Sequence, residues 1–194
     1  MISREEALNF LKEKIENRNI IKHMLATEAL MGGIYNTLEA RGEKDLGGTG
    51  EEWMMAGLLH DGDYVGGVSP ERQGIQVTEW LRERDYEIPE SVAQAMAAHN
   101  PETGVEPKSL MDWAIFCGDS LTGLIVAAVL VLPSRKLADV DTDMVLRRFK
   151  EKAFARGTRR EDIKKCVTEL DLPLREFVRI SLKAMQRISK DLGL

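Results

Sequence analysis

The chain holds only three histidines, and each sits in a short polar island inside helical, apolar sequence: His23 in IIKHMLATEAL, His60 in WMMAGLLHD and His99 in AMAAHNPETG. His60-Asp61 closes an apolar helix, so a buried element delivers an imidazole and a carboxylate to one point. Adjacent helical residues project about 100° apart, which lets such a pair grip a cation from neighbouring directions. Asp119 lies in FCGDSLTGLIVAA, where a carboxylate is costly unless it is paired or coordinates a metal. Two imidazole nitrogens and two carboxylates form a mixed donor set suited to one divalent ion, with Mn, Fe, Co, Ni, Zn and Mg all compatible. Taken alone, each residue has a plainer explanation. A single His beside an apolar helix is usually a satisfied core or surface residue, and a buried Asp can pair with Arg or Lys. The ordered set of His, His-Asp and Asp over a helical chain is what points to a metal.

The elements that must position these residues are helices throughout, because helical apolar spacing recurs from end to end and alternating β-branched runs are missing. The expected fold class is all-α. Ser3 and Glu6 make a capping box for a first helix with Ala7, Leu8, Leu11 and Ile15 on one face. A second helix over residues 20–40 carries His23. RGEKDLGGTGEE is a loop leading to a helix over 51–59, at whose end His60 and Asp61 sit. Ser69 and Pro70 restart a helix as cap and first residue, and Pro89 opens another that ends near His99, with Asn100 as its C-cap. Pro107 begins a long central helix carrying Asp112 and Asp119 and stopping before Pro133. Helices over 142–155, 159–170 (with a second capping box from Thr158 and Glu161) and 173–192 complete the chain. No repeat or linker divides it, so a single domain is expected, with a core at about 20–132 and the helices of 142–192 packed on it.

Composition narrows the function classes. At 194 residues, 43% hydrophobic and 30% charged, the chain reads as a globular protein with a sizeable core. A net charge of −5 argues against binding a nucleic-acid polymer, whereas a small anionic substrate needs only a local basic pocket. Cys117 and Cys166 form no CxxC pair, so neither a disulfide framework nor a thiolate metal site is indicated, and a reducing, cytoplasmic setting is expected. The N-terminal residues show no signal-peptide pattern. The apolar stretch LTGLIVAAVLVL, residues 121–132, is shorter than the roughly 20 residues a membrane span requires. It is expected to be a buried core helix, with no membrane partner.

The order His23, then His60-Asp61 closing an AGLLHD helix, then Asp119 in GDSLTGLI resembles the HD domain of metal-dependent phosphohydrolases over about residues 21–132. The C-terminal helices resemble those of a bacterial branch of that superfamily, whose members are mainly uncharacterised. The resemblance implies an α-helical bundle, metal ligation by His23, His60, Asp61 and Asp119, and substrates that are nucleotides or other phosphate esters. Members with two metals carry further histidines, one about a dozen residues after the HD pair; here that position is Gln73, and His99 is the only later histidine. A mononuclear site is therefore expected, and the two-iron oxygenases of the superfamily are disfavoured.

The supporting chemistry is less complete. Asp63, two residues beyond Asp61, could orient or deprotonate an attacking water, or could be a turn residue bonded to backbone. His99 at a helix end could donate to a phosphate oxygen or a leaving group. Cations for a phosphate must come from among Arg72, Arg135, Lys136, Lys150 and the Arg159-Arg160 pair, although a straight central helix would hold Arg135 and Lys136 far from the metal. Gly47-Gly48-Thr49-Gly50 lacks a Walker ending and reads as a mobile loop near the site. Met24, Met31, Met54, Met55 and Met96 are read as gap-filling core residues. The leading expectation is hydrolysis of a small phosphorylated substrate, nucleotides included, and the alternative is a metal- and nucleotide-binding regulatory module without turnover.

Overall fold

Glycine decides how the helices meet. In the computed structural model, which describes residues 1–194, α2 (Arg18–Ala40) is the axis of an all-α assembly. On α3 (Gly50–Leu59), a Cβ at Gly57 would stand 2.8 Å from the Thr27 carbonyl oxygen and 2.9 Å from Glu28 backbone atoms. That contact lets α3 cross directly over the backbone of α2. On α6 (Leu110–Leu130), a Cβ at Gly118 would come within 2.5 Å of the Leu30 side chain. On the remaining face, Gly33 lies against Ala184 of α10 (Leu174–Arg187). Three small-residue contacts thus press three helices onto α2, and two of those helices carry candidate ligands.

The other elements close the assembly. They are α1 (Arg4–Lys14), α4 (Ile75–Arg82), α5 (Glu90–Ala98), α7 (Thr142–Lys150), the short α8 (Arg160–Lys164) and α9 (Cys166–Glu169), and α11 (Ser189–Leu192). One core cluster of 45 buried residues runs from Ile2 to Leu192, so the C-terminal helices share the core of the first part of the chain. Met24, Met31 and Met96 are fully buried in it, whereas Met54 is exposed. Both cysteines are free and buried, and burial pushes the Cys166 thiol up to about 12, so it stays a thiol at neutral pH.

Several boundaries differ from expectation, each for a local reason. The Ser3/Glu6 capping box forms, and Thr49 and Glu52 make another at α3. The central helix starts not at Pro107 but after Ser109, whose hydroxyl accepts from the Asp112 amide while the Asp112 carboxylate accepts from the Ser109 amide. Ser69 makes no capping bond. Pro70–Arg72 forms one 3-10 turn, which ends before Gly74 takes a left-handed φ of 75° and α4 begins. The Thr158/Glu161 box does not form, because α8 is capped at Arg159 without a side-chain bond. The helix expected to reach 155 stops at Lys150, where the Arg160 guanidinium gathers the carbonyls of Phe149, Glu151 and Phe154 into a turn. Asn100 is not a C-cap: its side chain accepts from the Glu102 amide and caps the following 3-10 turn.

The α6 helix, at 21 residues, is long and apolar enough by length and composition to cross a membrane. Its place in the fold is that of a core helix, packed against α2, α5, α7, α8 and α10. The apolar stretch looked too short because the helix begins eleven residues before it, at Leu110.

Candidate metal centre

The glycine contact at Gly57 fixes the first pair of candidate ligands. One turn after it, at the end of α3, stands His60; one turn before its partner Thr27 on α2 stands His23. Their Nε2 atoms face each other at 3.2 Å. Asp119, one residue after Gly118 on α6, brings Oδ1 to 2.9 Å from His23 Nε2 and 3.6 Å from His60 Nε2. Asp61 Oδ2 lies 3.5 and 3.6 Å from the same two nitrogens. His99, at the end of α5, places Nε2 3.4 Å from the other Asp61 oxygen, Oδ1.

The second nitrogen of each imidazole is committed, and this sets the protonation of the first. His60 Nδ1–H donates to the Gly57 carbonyl at 2.9 Å, and His99 Nδ1–H to the Met96 carbonyl at 2.5 Å. Thr122 spends its own proton on the Asp119 carbonyl at 2.8 Å, so its Oγ1 accepts from His23 Nδ1–H at 3.0 Å. In the neutral rings, the proton on Nδ1 leaves a lone pair on each Nε2, aimed inward. Two such lone pairs at 3.2 Å repel unless a proton or a cation lies between them. Two nitrogens each about 2.1 Å from one ion, at angles between square and tetrahedral, stand about 3.0–3.4 Å apart. The observed separation lies within that span. His23, His60 and Asp61 offer ligand atoms all within 4.8 Å of one another, a group able to hold a metal ion.

The electrostatics are those of a tightly compensated cluster. Burial raises Asp61, but the imidazoles of His60, His99 and His23 outweigh it and hold the carboxyl down to about 2. Burial acts the same way on Asp119, and its bonds to His23 and His60 pull it well below the usual carboxylate range. Burial opposes protonation of His23 and His99, yet hydrogen bonds to Asp119 and Asp61 respectively raise both above the usual imidazole value. Arg159 adds a fixed positive charge: its Nη2 donates to Asp119 Oδ2 at 3.0 Å and to the His99 carbonyl at 3.1 Å, and its Nε donates to Asp162 at 2.7 Å. Asp119 is therefore split, with one oxygen toward the histidines and one toward the guanidinium.

Neither a family model, nor a curated protein, nor a solved structure matches this chain.

The structure thus brings together His23, His60, Asp61, Asp119 and His99. It gives Asp63 a different task. This side chain is fully buried, and its two oxygens accept from the backbone amides of Gly74 (3.1 Å) and Val77 (2.9 Å), tying down the start of α4. Burial and the neighbouring Asp61 raise its carboxyl despite those bonds. With both oxygens bonded to backbone, Asp63 is a capping group, not a base facing the cluster. Gly74 is required for this arrangement, since a Cβ there would stand 2.0 Å from the Met96 carbonyl oxygen. Gln73 accepts from the Asn100 side-chain amide at 2.7 Å. The glycine loop at residues 47–50 is not beside the cluster: Gly47 packs on Ser109 at the start of α6, about 15 Å along that helix from Asp119.

Among the basic residues, Arg72 pairs with Glu79, Arg160 is spent on carbonyls, and Arg159 alone joins the cluster. Arg135 shares a cavity with His23, because the chain turns back after α6. The residue missed by sequence reasoning is Thr122. Its signal was present, since it lies three residues after Asp119 and so on the same helical face.

Proposed function

We propose that the protein is a metal-dependent hydrolase of phosphate esters, nucleotides among them, of the HD type, holding one divalent ion with His23, His60, Asp61 and Asp119. The observation that carries this reading is the pair of inward-facing Nε2 lone pairs, each ring oriented through Nδ1, beside two carboxylates held ionised. Such oriented imidazoles are the usual support of a metal site. A divalent ion here would supply Lewis acidity, making water a better nucleophile near neutral pH and offsetting charge that develops on phosphorus.

The chain's own residues supply the rest. Arg159 uses Nε and Nη2 within the protein, which leaves its Nη1 hydrogens for a phosphoryl oxygen. His99, held by Asp61 on one side and the Met96 carbonyl on the other, can carry a proton at Nε2 in its charged form and pass it to the leaving oxygen, after which the ring is neutral. With Asp63 bonded to backbone, proton handling rests on His99.

The test is phosphate release from nitrophenyl phosphate esters and a nucleotide panel after loading with each candidate metal. Release is expected from the native protein and is abolished in Asp61→Ala. In Arg159→Gln, kcat/KM is expected to fall by about 10²–10³, the scale of losing one donor to developing charge. No release with any metal, together with tight nucleotide binding, would instead favour the non-catalytic regulatory module.

A further inference from the structure

Helical glycines usually answer to a neighbour. Gly32 meets Met54, Gly33 meets Ala184, Gly57 the α2 backbone and Gly118 the Leu30 side chain, each within 3.1 Å of where a Cβ would stand. Gly123, in the middle of α6, has nothing within 4 Å. A glycine in a helix interior weakens the helix relative to alanine, so packing gives no reason for this one. What its missing side chain leaves is space in a groove.

That groove, of about 510 Å³, lies between the first turns of α2, the second half of α6 and residues 192–194. Its volume is in the range of small-molecule sites. His23, a member of the cluster, and its hydrogen-bond partner Thr122 line it. Val126, Leu130 and Leu192 give it apolar walls, and Lys22 and Arg135 line it as well. Neither of these cations takes part in any of the chain's ion pairs. Two unpaired cations, an apolar wall, a bare patch of helix backbone and a metal-cluster imidazole therefore border one space.

We infer that this groove takes the organic body of the substrate, a phosphate ester whose planar or apolar body lies over Gly123 and bears a second negative group held by Lys22 and Arg135. The inference rests on the hydrolase reading above, since it places the reacting phosphate on the cluster side of His23. The bare backbone at Gly123 lets a flat body approach α6 closely, and the two cations favour a doubly anionic ester over a singly anionic one.

The test is titration calorimetry of the metal-loaded protein with three probes that cannot be hydrolysed: inorganic phosphate, adenosine 5′-phosphonate and adenosine 3′,5′-bisphosphonate. Native protein is expected to bind the bisphosphonate at least about tenfold more tightly than the monophosphonate, and the Lys22→Ala/Arg135→Ala variant to lose that gain. Gly123→Leu, whose Cβ meets no atom of the protein, is expected to weaken both adenosine probes about tenfold or more relative to inorganic phosphate. Adenosine probes bound equally by Gly123→Leu and native protein would overturn the groove assignment. A second-group gain that survives loss of both cations would overturn the stated substrate class. If native protein releases phosphate from esters yet Gly123→Leu binds normally, the groove inference fails alone. If no ester is hydrolysed but the binding differences appear, the hydrolase reading fails and the groove stands as an organic-anion site.

Discussion

Asp61 and Asp63 stand two residues apart on the turn that follows α3, Asp61 partly and Asp63 wholly buried, yet they meet opposite surroundings. Asp61 faces three imidazoles and is held ionised down to about 2. Asp63 faces the amides of Gly74 and Val77, and its carboxyl is raised. In the first region the chain gathers titratable groups whose remaining lone pairs converge on one point. In the second, the donors are backbone amides with no capacity for further ligands. In this chain the carboxylate among imidazoles belongs to the candidate metal centre, and the one partnered by amides is a joint in the fold.

Removing each aspartate in turn is expected to separate metal binding from fold stability. Asp61→Ala removes a carboxylate shared by three imidazoles and is expected to lower metal affinity by well over 100-fold, read by competition with a chromogenic chelator. Asp63→Ala is expected to leave metal affinity within a few-fold of native. It should cost about 2–4 kcal/mol of stability in urea denaturation of the metal-free protein, because two buried amides lose their acceptor. A larger metal defect in Asp63→Ala than in Asp61→Ala would reverse the assignment. A smaller change sharpens it: Thr122→Val keeps the shape but removes the acceptor of His23 Nδ1–H, and is expected to weaken the metal by about 10–100-fold with little loss of fold.

Smaller still is the pH response of the metal-free protein. His23 and His99 are raised above 6.5, so their contribution to stability is fully present below that value and is lost as pH rises through their folded values. Asp61 and Asp119 are lowered, so their contribution is present above about 4 and lost as pH falls toward 2. Urea stability of the metal-free protein should therefore decline on the alkaline side of pH 6.5, while metal affinity rises over the same interval as ligand protons are shed. Metal-free stability that stays level or rises from pH 6.5 to about 9 would contradict the protonation states assigned to the cluster.

A residue's place can be read from the sequence when its partners are local. The all-α class, the Ser3/Glu6 box and the placement of His60-Asp61 at a helix end follow from spacing within a turn or two. Asp119 was legible because a carboxylate in FCGDSLTGLI has no inexpensive apolar surroundings. For Asp63 the sequence leaves two readings open, a base or a turn residue bonded to backbone, because its partners, the amides of Gly74 and Val77, become donors only when the chain turns at Gly74; the backbone-bonded reading is the one that holds. Arg159 was one of several cations until folding set it 3.0 Å from Asp119, forty residues away in sequence. The crossing at Gly57 that brings His60 to His23 depends on a contact between two helices, which no local pattern announces.

Whether this cluster binds one divalent ion is read by elemental analysis of the purified protein, metal-loaded and then desalted. One ion per chain is expected in the native protein and in Asp63→Ala, and none retained in His60→Ala. Absence of a stoichiometric ion in the native protein, or undiminished metal in His60→Ala, would contradict it.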